Sequence, residues 1–125
     1  MIIIMPIQKI FKGSDLLLEL NLADEYGNAI RIRDTIEFRI SLYTNKKFGS
    51  FAVIGRYNEG IFQNIIEQED KDYLVIQSYQ LDDIESGIFL FDYYLKVENS
   101  LFPSGYYSES RNGQTNLYLK NSYEI

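Results

Sequence analysis

The stretch that decides the fold runs from Asp72 to Val97 and reads DYLVIQSYQLDDIESGIFLFDYYLKV. It opens with a β-rich run, continues with one turn of helix between Tyr79 and Ile84, and reaches a corner at Gly87. The long strand that follows is apolar on both faces, with Phe89, Phe91, Tyr93, Leu95 and Val97 on one face and Ile88, Leu90 and Tyr94 on the other. Such a strand is typical of the middle of a sheet. The stretch therefore predicts an architecture but no chemistry.

Other strands are predicted on both sides of this stretch. Alternating apolar residues indicate strands at Leu16–Leu22 and Ile36–Leu42. The runs Phe51–Ile54, ending at Gly55, and Ile61–Ile66 indicate two more. Asn112-Gly113, which lies between two strand-like runs, predicts a hairpin turn.

The spacing of these elements predicts an all-β fold, an immunoglobulin-like antiparallel β-sandwich of about seven to nine strands with one short helical turn. A closed barrel is the competing geometry. The predicted core contains ten residues: Leu18, Leu20, Ile36, Phe38, Ile40, Leu74, Ile76, Phe89, Phe91 and Leu95.

Whole-chain properties limit the classes of function. The 125 residues predict a single domain, 1–125. The net charge of −6 argues against nucleic acid as a partner, because phosphate binding needs a concentrated basic face. The sequence has no cysteine and no histidine. Disulfides and thiolate nucleophiles are therefore excluded, and the commonest general base and zinc ligand are missing.

The first seven residues, Met1 to Ile7, are apolar. They are too short to span a membrane and lack the features of a signal peptide, so we expect synthesis in the cytoplasm and no membrane partner. Pro6 restricts the segment to an edge strand or an extended arm. We hypothesise an intersubunit contact through this arm, with an edge strand of its own sandwich as the alternative. The contact candidates are Ile2, Ile3, Ile4 and Met5.

Carboxylates are the remaining candidates for chemistry. Asp82, Asp83 and Glu85 are close in sequence, but Asp82 and Asp83 are neighbours on a turn and are expected to cap the helical turn or to face water. Asp92 lies in an otherwise apolar strand, where a hydrogen bond or salt bridge to a neighbouring strand is favoured over a catalytic role, with Lys96 as a same-face companion. The acidic run Glu67–Asp72 lacks the spacing of a calcium loop. We expect no enzyme, no catalytic residues, no cofactor and no metal.

The eleven tyrosines suggest a contact surface. Exposed tyrosines could stack on sugar rings, and the candidates are Tyr57, Tyr79, Tyr106, Tyr107 and Tyr123. A small carbohydrate- or cell-surface-binding module that uses such residues is the alternative function.

The order of features resembles the N-terminal immunoglobulin-like module of phage baseplate and tail proteins, the upper-baseplate family that carries receptor-binding proteins. The matching pieces are Phe11–Asp15 before the leucine strand, the loop Asp24–Asn28, the strand Ile36–Leu42, the strand Leu74–Ile76, the helical turn from Leu81 to Gly87, and Gly87-Ile88-Phe89-Leu90-Phe91-Asp92 after it. The likeness covers residues 7 to 120. The family's module is normally followed by a longer fibre-binding region, whereas for this chain we expect a stand-alone adaptor or fibre component.

The resemblance implies a virion structural protein of a tailed phage: a tail, baseplate or fibre component or adaptor. Its partners would be other phage structural proteins, and it would form a homo-oligomer in the assembled particle. Our own candidates for partner contacts include, besides the N-terminal residues, Tyr57, Tyr106, Tyr107 and Tyr123. The abundance of Ile, Asn, Tyr and Lys fits a low-GC genome, such as those of phages of gut Bacteroides-like hosts.

Overall fold

The long strand after Gly87 forms as predicted and lies inside the larger of two sheets. The structure, a computed structural model, describes residues 2–4, 8–24, 26–45 and 51–120, with side chains described from residue 11 onward. Its strands are β1 (Ile2–Ile4), β2 (Gln8–Phe11), β3 (Leu16–Ala23), β4 (Ala29–Ile30), β5 (Glu37–Tyr43), β6 (Val53–Asn58), β7 (Ile61–Gln63), β8 (Ile65–Gln68), β9 (Lys71–Ile76), β10 (Gly87–Glu98) and β11 (Tyr106–Lys120). Two 3₁₀ turns, Ile32–Asp34 and Ser78–Leu81, complete the described elements.

The strand order is that of an immunoglobulin domain. The smaller sheet runs β1-β3-β9-β8, with β4 paired to β3, and the larger runs β2-β11-β10-β5-β6-β7. With β3 as strand B and β10 as strand F, these are the ABED and GFC sheets, the latter extended as in variable domains. The all-β sandwich prediction is confirmed. Three of the strands, β1, β4 and β7, have only two or three residues, and the other eight fall within the predicted number.

The core lies between the inner faces of the sheets. Eight of the ten predicted core residues are buried, while Ile36 and Phe91 are only partly buried. The predicted helical turn also contributes, since Leu81 and Ile84 are buried. Ile32, Leu117 and Leu119 are core residues that the sequence analysis did not single out.

Aromatic rings are concentrated on β10, in a chain that has no cysteine for the inter-sheet disulfide of antibody domains. Those domains carry a tyrosine near the start of strand F and a cysteine two residues later. Near the start of β10, Phe89 is fully buried and Phe91 packs against the core. The ring of Tyr93 lies 6.3 Å from that of Phe91 and 6.5 Å from that of Phe38. All three rings belong to β5 and β10, so they pack together within the larger sheet.

Gly55 does not end a strand, contrary to the prediction. β6 continues through it to Asn58. A Cβ at this position would lie 2.6 Å from Leu74 Cδ1 and 2.9 Å from Ile65 Cγ1. The glycine is therefore a point of close approach between the two sheets.

The hairpin turn predicted at Asn112-Gly113 is also wrong, because β11 is continuous from Tyr106 to Lys120. A Cβ at Gly113 would lie 2.8 Å from Cζ of Phe91, so the missing side chain makes room for that ring. The chain instead turns between β10 and β11, where the Gly105 N–H donates to the carbonyl oxygen of Phe102.

The run Ile61–Ile66 forms two strands rather than one. Asn64 has a φ of 58°, which breaks the ladder, and the strands on its two sides belong to different sheets. Asn64 Nδ2 donates to the carbonyl oxygen of Ile54 at 3.1 Å, which holds the crossing against β6.

The N-terminal segment forms an edge strand of its own sandwich. This was the alternative to the intersubunit arm in the sequence analysis. β1 pairs antiparallel with β3, with Ile2 opposite Ala23 and Ile4 opposite Asn21. β2 then pairs with β11 of the larger sheet, in parallel. Met5, Pro6 and Ile7 lie outside the described residues.

Candidate functional site

Tyr57 corrects the expectation of an exposed contact tyrosine. Its side chain is only 8% exposed, and its hydroxyl donates to the carbonyl oxygen of Arg33. Its ring lies 4.6 Å from that of Phe62. The alternation along β6 turns it inward, because Val53, Gly55 and Tyr57 share the buried face. Tyr57 is a core residue.

The remaining predicted tyrosines do not form one platform. Tyr106 is exposed and lies beneath the ammonium group of Lys96. Tyr107 is half-buried against Phe102, with its hydroxyl on Glu109. Tyr79 is exposed, and Tyr123 lies outside the described residues.

Tyr79 and Tyr106 lie at opposite ends of the sandwich. Tyr79 belongs to the 3₁₀ turn that leads into β10, whereas Tyr106 pairs with Glu98 at the far end of that strand. A strand of twelve residues spans about 40 Å. A single sugar ring therefore cannot contact both tyrosines.

The smaller sheet carries an apolar patch on its outer face, which we call the small-sheet face: Leu17, Ile66, Tyr73 and Val75. Leu17 is directly opposite Val75, and Ile66 is directly opposite Tyr73. Leu17 is 44% exposed and Ile66 is 40% exposed. Apolar side chains from three neighbouring strands, β3, β9 and β8, thus lie together on this face, bordered by Glu19, which is opposite Tyr73 and ion-paired with Lys71.

The larger sheet carries a polar depression on its outer face, which we call the outer groove. It is a shallow cavity of about 540 Å³. Its lining includes Arg39, Ser41, Arg56, Asp92, Tyr94 and Asn112. These side chains come from four adjacent strands, because Arg56 is opposite Arg39, Arg39 is opposite Tyr94, and Asp92 is opposite Asn112.

Asp92 makes the bond to a neighbouring strand that the sequence favoured. Its Oδ1 accepts a hydrogen bond of 2.9 Å from the hydroxyl of Tyr43 on β5. The expected companion, Lys96, lies instead over the ring of Tyr106, with Nζ 4.4 Å from its centroid.

A buried carboxylate was missed by the sequence analysis. Glu109 is 7% exposed and accepts hydrogen bonds from the Tyr93 hydroxyl at 2.9 Å and from Arg111 Nε at 2.8 Å. Burial raises the pKa of Glu109, whereas hydrogen bonds lower it, those from Arg111 and Tyr93 foremost, and the net pKa is lowered. Burial, together with the bond to this carboxylate, raises the pKa of Tyr93. The sequence gives no sign of this cluster, because Tyr93 and Arg111 are brought opposite each other only by the register of β10 and β11.

A second ion-paired cluster fixes the connection before β5. Asp72 is 2% exposed and accepts from Arg31 Nε at 3.2 Å and from the backbone N–H of Ile32 at 3.0 Å. Glu67 also accepts from Arg31, at 3.1 Å. The hydrogen bond to Asp72 is the main cause that raises the pKa of Arg31. Two residues of the acidic run therefore hold the 3₁₀ turn, while Glu69 and Asp70 are exposed.

Within the described part of the chain, no group of three potential metal ligands is close enough to hold an ion. Nor does any helix there reach the length and apolar character that crossing a membrane requires.

The architecture defines a class, the immunoglobulin-like β-sandwich of variable type. Comparison of the chain with protein-family models, with curated proteins and with solved structures finds no match in any of the three.

Proposed function

We propose that this chain is a structural protein of a tailed bacteriophage, a component or adaptor of the tail, baseplate or fibre that acts through protein–protein contacts. The phage assignment has its support in the resemblance between the Phe11–Asp15, Asp24–Asn28, Ile36–Leu42 and Gly87–Asp92 pieces and the baseplate module. The contact function has separate support in the surface.

The observation that carries the contact function is the small-sheet face. An antiparallel sheet with one free face normally shows polar side chains to water. Here Leu17, Ile66, Tyr73 and Val75 occupy part of that face, beside the ion pair between Lys71 and Glu19. Contiguous exposed apolar area marks interaction sites on soluble proteins. A second copy of the chain would bury it.

The test introduces positively charged side chains on this face. In Leu17→Lys with Ile66→Lys, two exposed side chains acquire a positive charge, so folding stability should change by about 0.5 kcal/mol or less per site. Sedimentation velocity on the purified chain should show self-association that weakens at least tenfold in the double variant. Ile88→Lys is the matched control, because Ile88 is 36% exposed on the other sheet.

The phage assignment has its own measurement. Mass spectrometry of purified particles of the phage that encodes the chain should detect it at a fixed copy number. Particles that lack the chain would contradict the virion role. Unchanged association in the Leu17→Lys, Ile66→Lys variant would contradict the contact face.

A further inference from the structure

The outer groove contains two arginines that have no carboxylate partner. The chain has five arginines, and three of them form ion pairs: Arg31 with Asp72 at 3.0 Å, Arg33 with Glu67 at 3.5 Å, and Arg111 with Glu109 at 2.8 Å. Among the described residues, Arg39 and Arg56 form no ion pair and no hydrogen bond through their side chains. The chain has 18 acidic residues, and the other three arginines each pair with one of them, so the absence of an ion pair at Arg39 and Arg56 among the described residues is unusual for this protein.

These two arginines also face each other. Arg39 on β5 is directly opposite Arg56 on β6. Side chains at such positions have Cβ atoms about 4.5–5.5 Å apart, and like charges there are destabilising. An anion held between the two guanidinium groups would remove this repulsion, and guanidinium is suited to paired hydrogen bonds with a carboxylate.

The rest of the groove favours a polyhydroxylated ligand. Ser41, Asn112 and Asp92 supply donors and acceptors, and Tyr94 supplies an aromatic ring beside Arg39. The volume of about 540 Å³ lies in the range of small-ligand sites, about 300–1,000 Å³. A protein partner would need an apolar centre at its contact, and the polar lining of this groove does not provide one.

We propose that the outer groove binds a saccharide that carries a carboxylate, a hexuronic or sialic acid. Arg39 and Arg56 hold the carboxylate. The hydroxyl groups of the sugar bond to Asp92, Ser41 and Asn112, and the ring lies along Tyr94. This site is on the sheet opposite the small-sheet face and does not depend on the contact function proposed above.

The test is to titrate the full chain with a galacturonate trisaccharide and, separately, with 3′-sialyllactose, and to record two-dimensional NMR spectra at each step. Comparison of the two separates a uronate polymer from a sialylated glycan as the source of the carboxylate. We expect saturable shifts on β5, β6 and β10 with at least one of them. The methyl ester of the trisaccharide and neutral lactose should bind at least tenfold more weakly.

Variants locate the site. Arg39→Gln with Arg56→Gln should weaken binding at least tenfold and leave the melting temperature equal or higher, because a like-charge pair is removed. Arg33→Gln is the matched control, since Arg33 is exposed and ion-paired outside the groove, and it should leave binding unchanged.

Three results would overturn the proposal. The first is no saturable binding of either acidic saccharide. The second is equal binding of the neutral or esterified sugars. The third is tighter binding of a hexaglutamate peptide, which would identify an acidic protein segment as the ligand. None of these results bears on self-association through the small-sheet face or on presence in particles, so the two proposals fail separately.

Discussion

Gly55 and Gly113 show what a single missing side chain does inside this sandwich. Each lies within a strand, and at each a Cβ would meet a neighbouring side chain at less than 3 Å. Interiors are packed densely enough that one added methyl group forces its neighbours to move. Close approach, rather than a turn, is the reason for glycine at both positions.

Replacement of Gly113 by alanine should therefore destabilise the protein by about 1–3 kcal/mol, the usual cost of overpacking. Chemical denaturation measures the loss. Because the clash is with the ring of Phe91, the second change Phe91→Leu should recover part of it, whereas Ser110→Ala on the same strand should have little effect. A stable Gly113→Ala variant would mean that the Phe91 ring is free to move aside.

Glu109 should make the free energy of unfolding depend on pH. Its pKa is lowered in the folded protein, so its contribution is present above the pKa of the unfolded chain and is lost as the pH falls through the folded pKa. We expect Glu109→Gln to cost about 1–2 kcal/mol at neutral pH through weakened hydrogen bonds. The variant should also show a flatter loss of stability below about pH 4.5.

Urea denaturation of both proteins between neutral and acid pH checks this expectation. Glu98→Gln, an exposed glutamate on the neighbouring strand, is the control. Parallel pH profiles for wild type and Glu109→Gln would contradict the prediction.

The sequence predicts whether a residue is buried where this follows from alternation along its own strand. It does not predict a residue's role where that role depends on contact with a residue distant in sequence. Alternation placed Leu18 and Phe38 correctly in the core, because a strand with one buried face has period two. The roles of Gly55 and Gly113 depend on Leu74 and Phe91, which are remote in sequence.

The outer groove could not be foreseen for the same reason. The alternation along Ile36–Leu42 places Arg39 between apolar positions and so on the outer face of its strand, but its position opposite Arg56 follows from the register of β5 and β6. That register is a property of the folded sheet, and the spacing of residues in the sequence does not supply it.

At the scale of elements, short polar contacts decide where the chain changes sheet. Asn64 ends β7 in the larger sheet and begins β8 in the smaller. The contact between Asp72 and Arg31 fixes the 3₁₀ turn at Ile32–Asp34, which delivers the chain to β5. Apolar alternation predicts the strands, and these polar contacts lie at two of the points where the chain passes from one sheet to the other.

Asp72→Asn should loosen this connection. The carboxylate accepts from Arg31 and from the N–H of Ile32, so its removal leaves a partly buried guanidinium without its main partner. We expect a loss of about 2–4 kcal/mol in the free energy of unfolding. Hydrogen exchange should rise at Ile32 and Thr35, whereas Asp70→Asn, in the same acidic run, should leave both unchanged. Equal exchange in the two variants would contradict this role.

At the scale of the molecule, the first strand closes one sheet edge. β1 covers the ladder edge of β3 that would otherwise be open, and an open edge invites pairing with another chain. The edge strand and the proposed intersubunit arm therefore make different predictions for the same deletion.

Deletion of residues 2–7 should lower the melting temperature of the monomer, because β1 and its pairing are lost. Calorimetry and sedimentation velocity together measure the outcome. An unchanged melting temperature with loss of assembly would support an arm lent to a neighbour instead. No change in either property would contradict both interpretations.

The parallel pairing of β2 with β11 has a mechanical consequence. Gln8 is opposite Leu117, Phe11 is opposite Lys120, and the Lys12 N–H donates to the Lys120 carbonyl oxygen at 2.9 Å. Tension between the two ends of the chain pulls these strands along one another, so their hydrogen bonds share the load and must break together. Tension between Glu85 and Lys120 would instead unzip β10 from β11 one bond at a time, starting at Gly87 and Leu119. Single-molecule pulling should therefore give a higher rupture force when the two ends of the chain are pulled than when Glu85 and Lys120 are pulled. The domain thus resists unfolding more strongly along the line between its two ends.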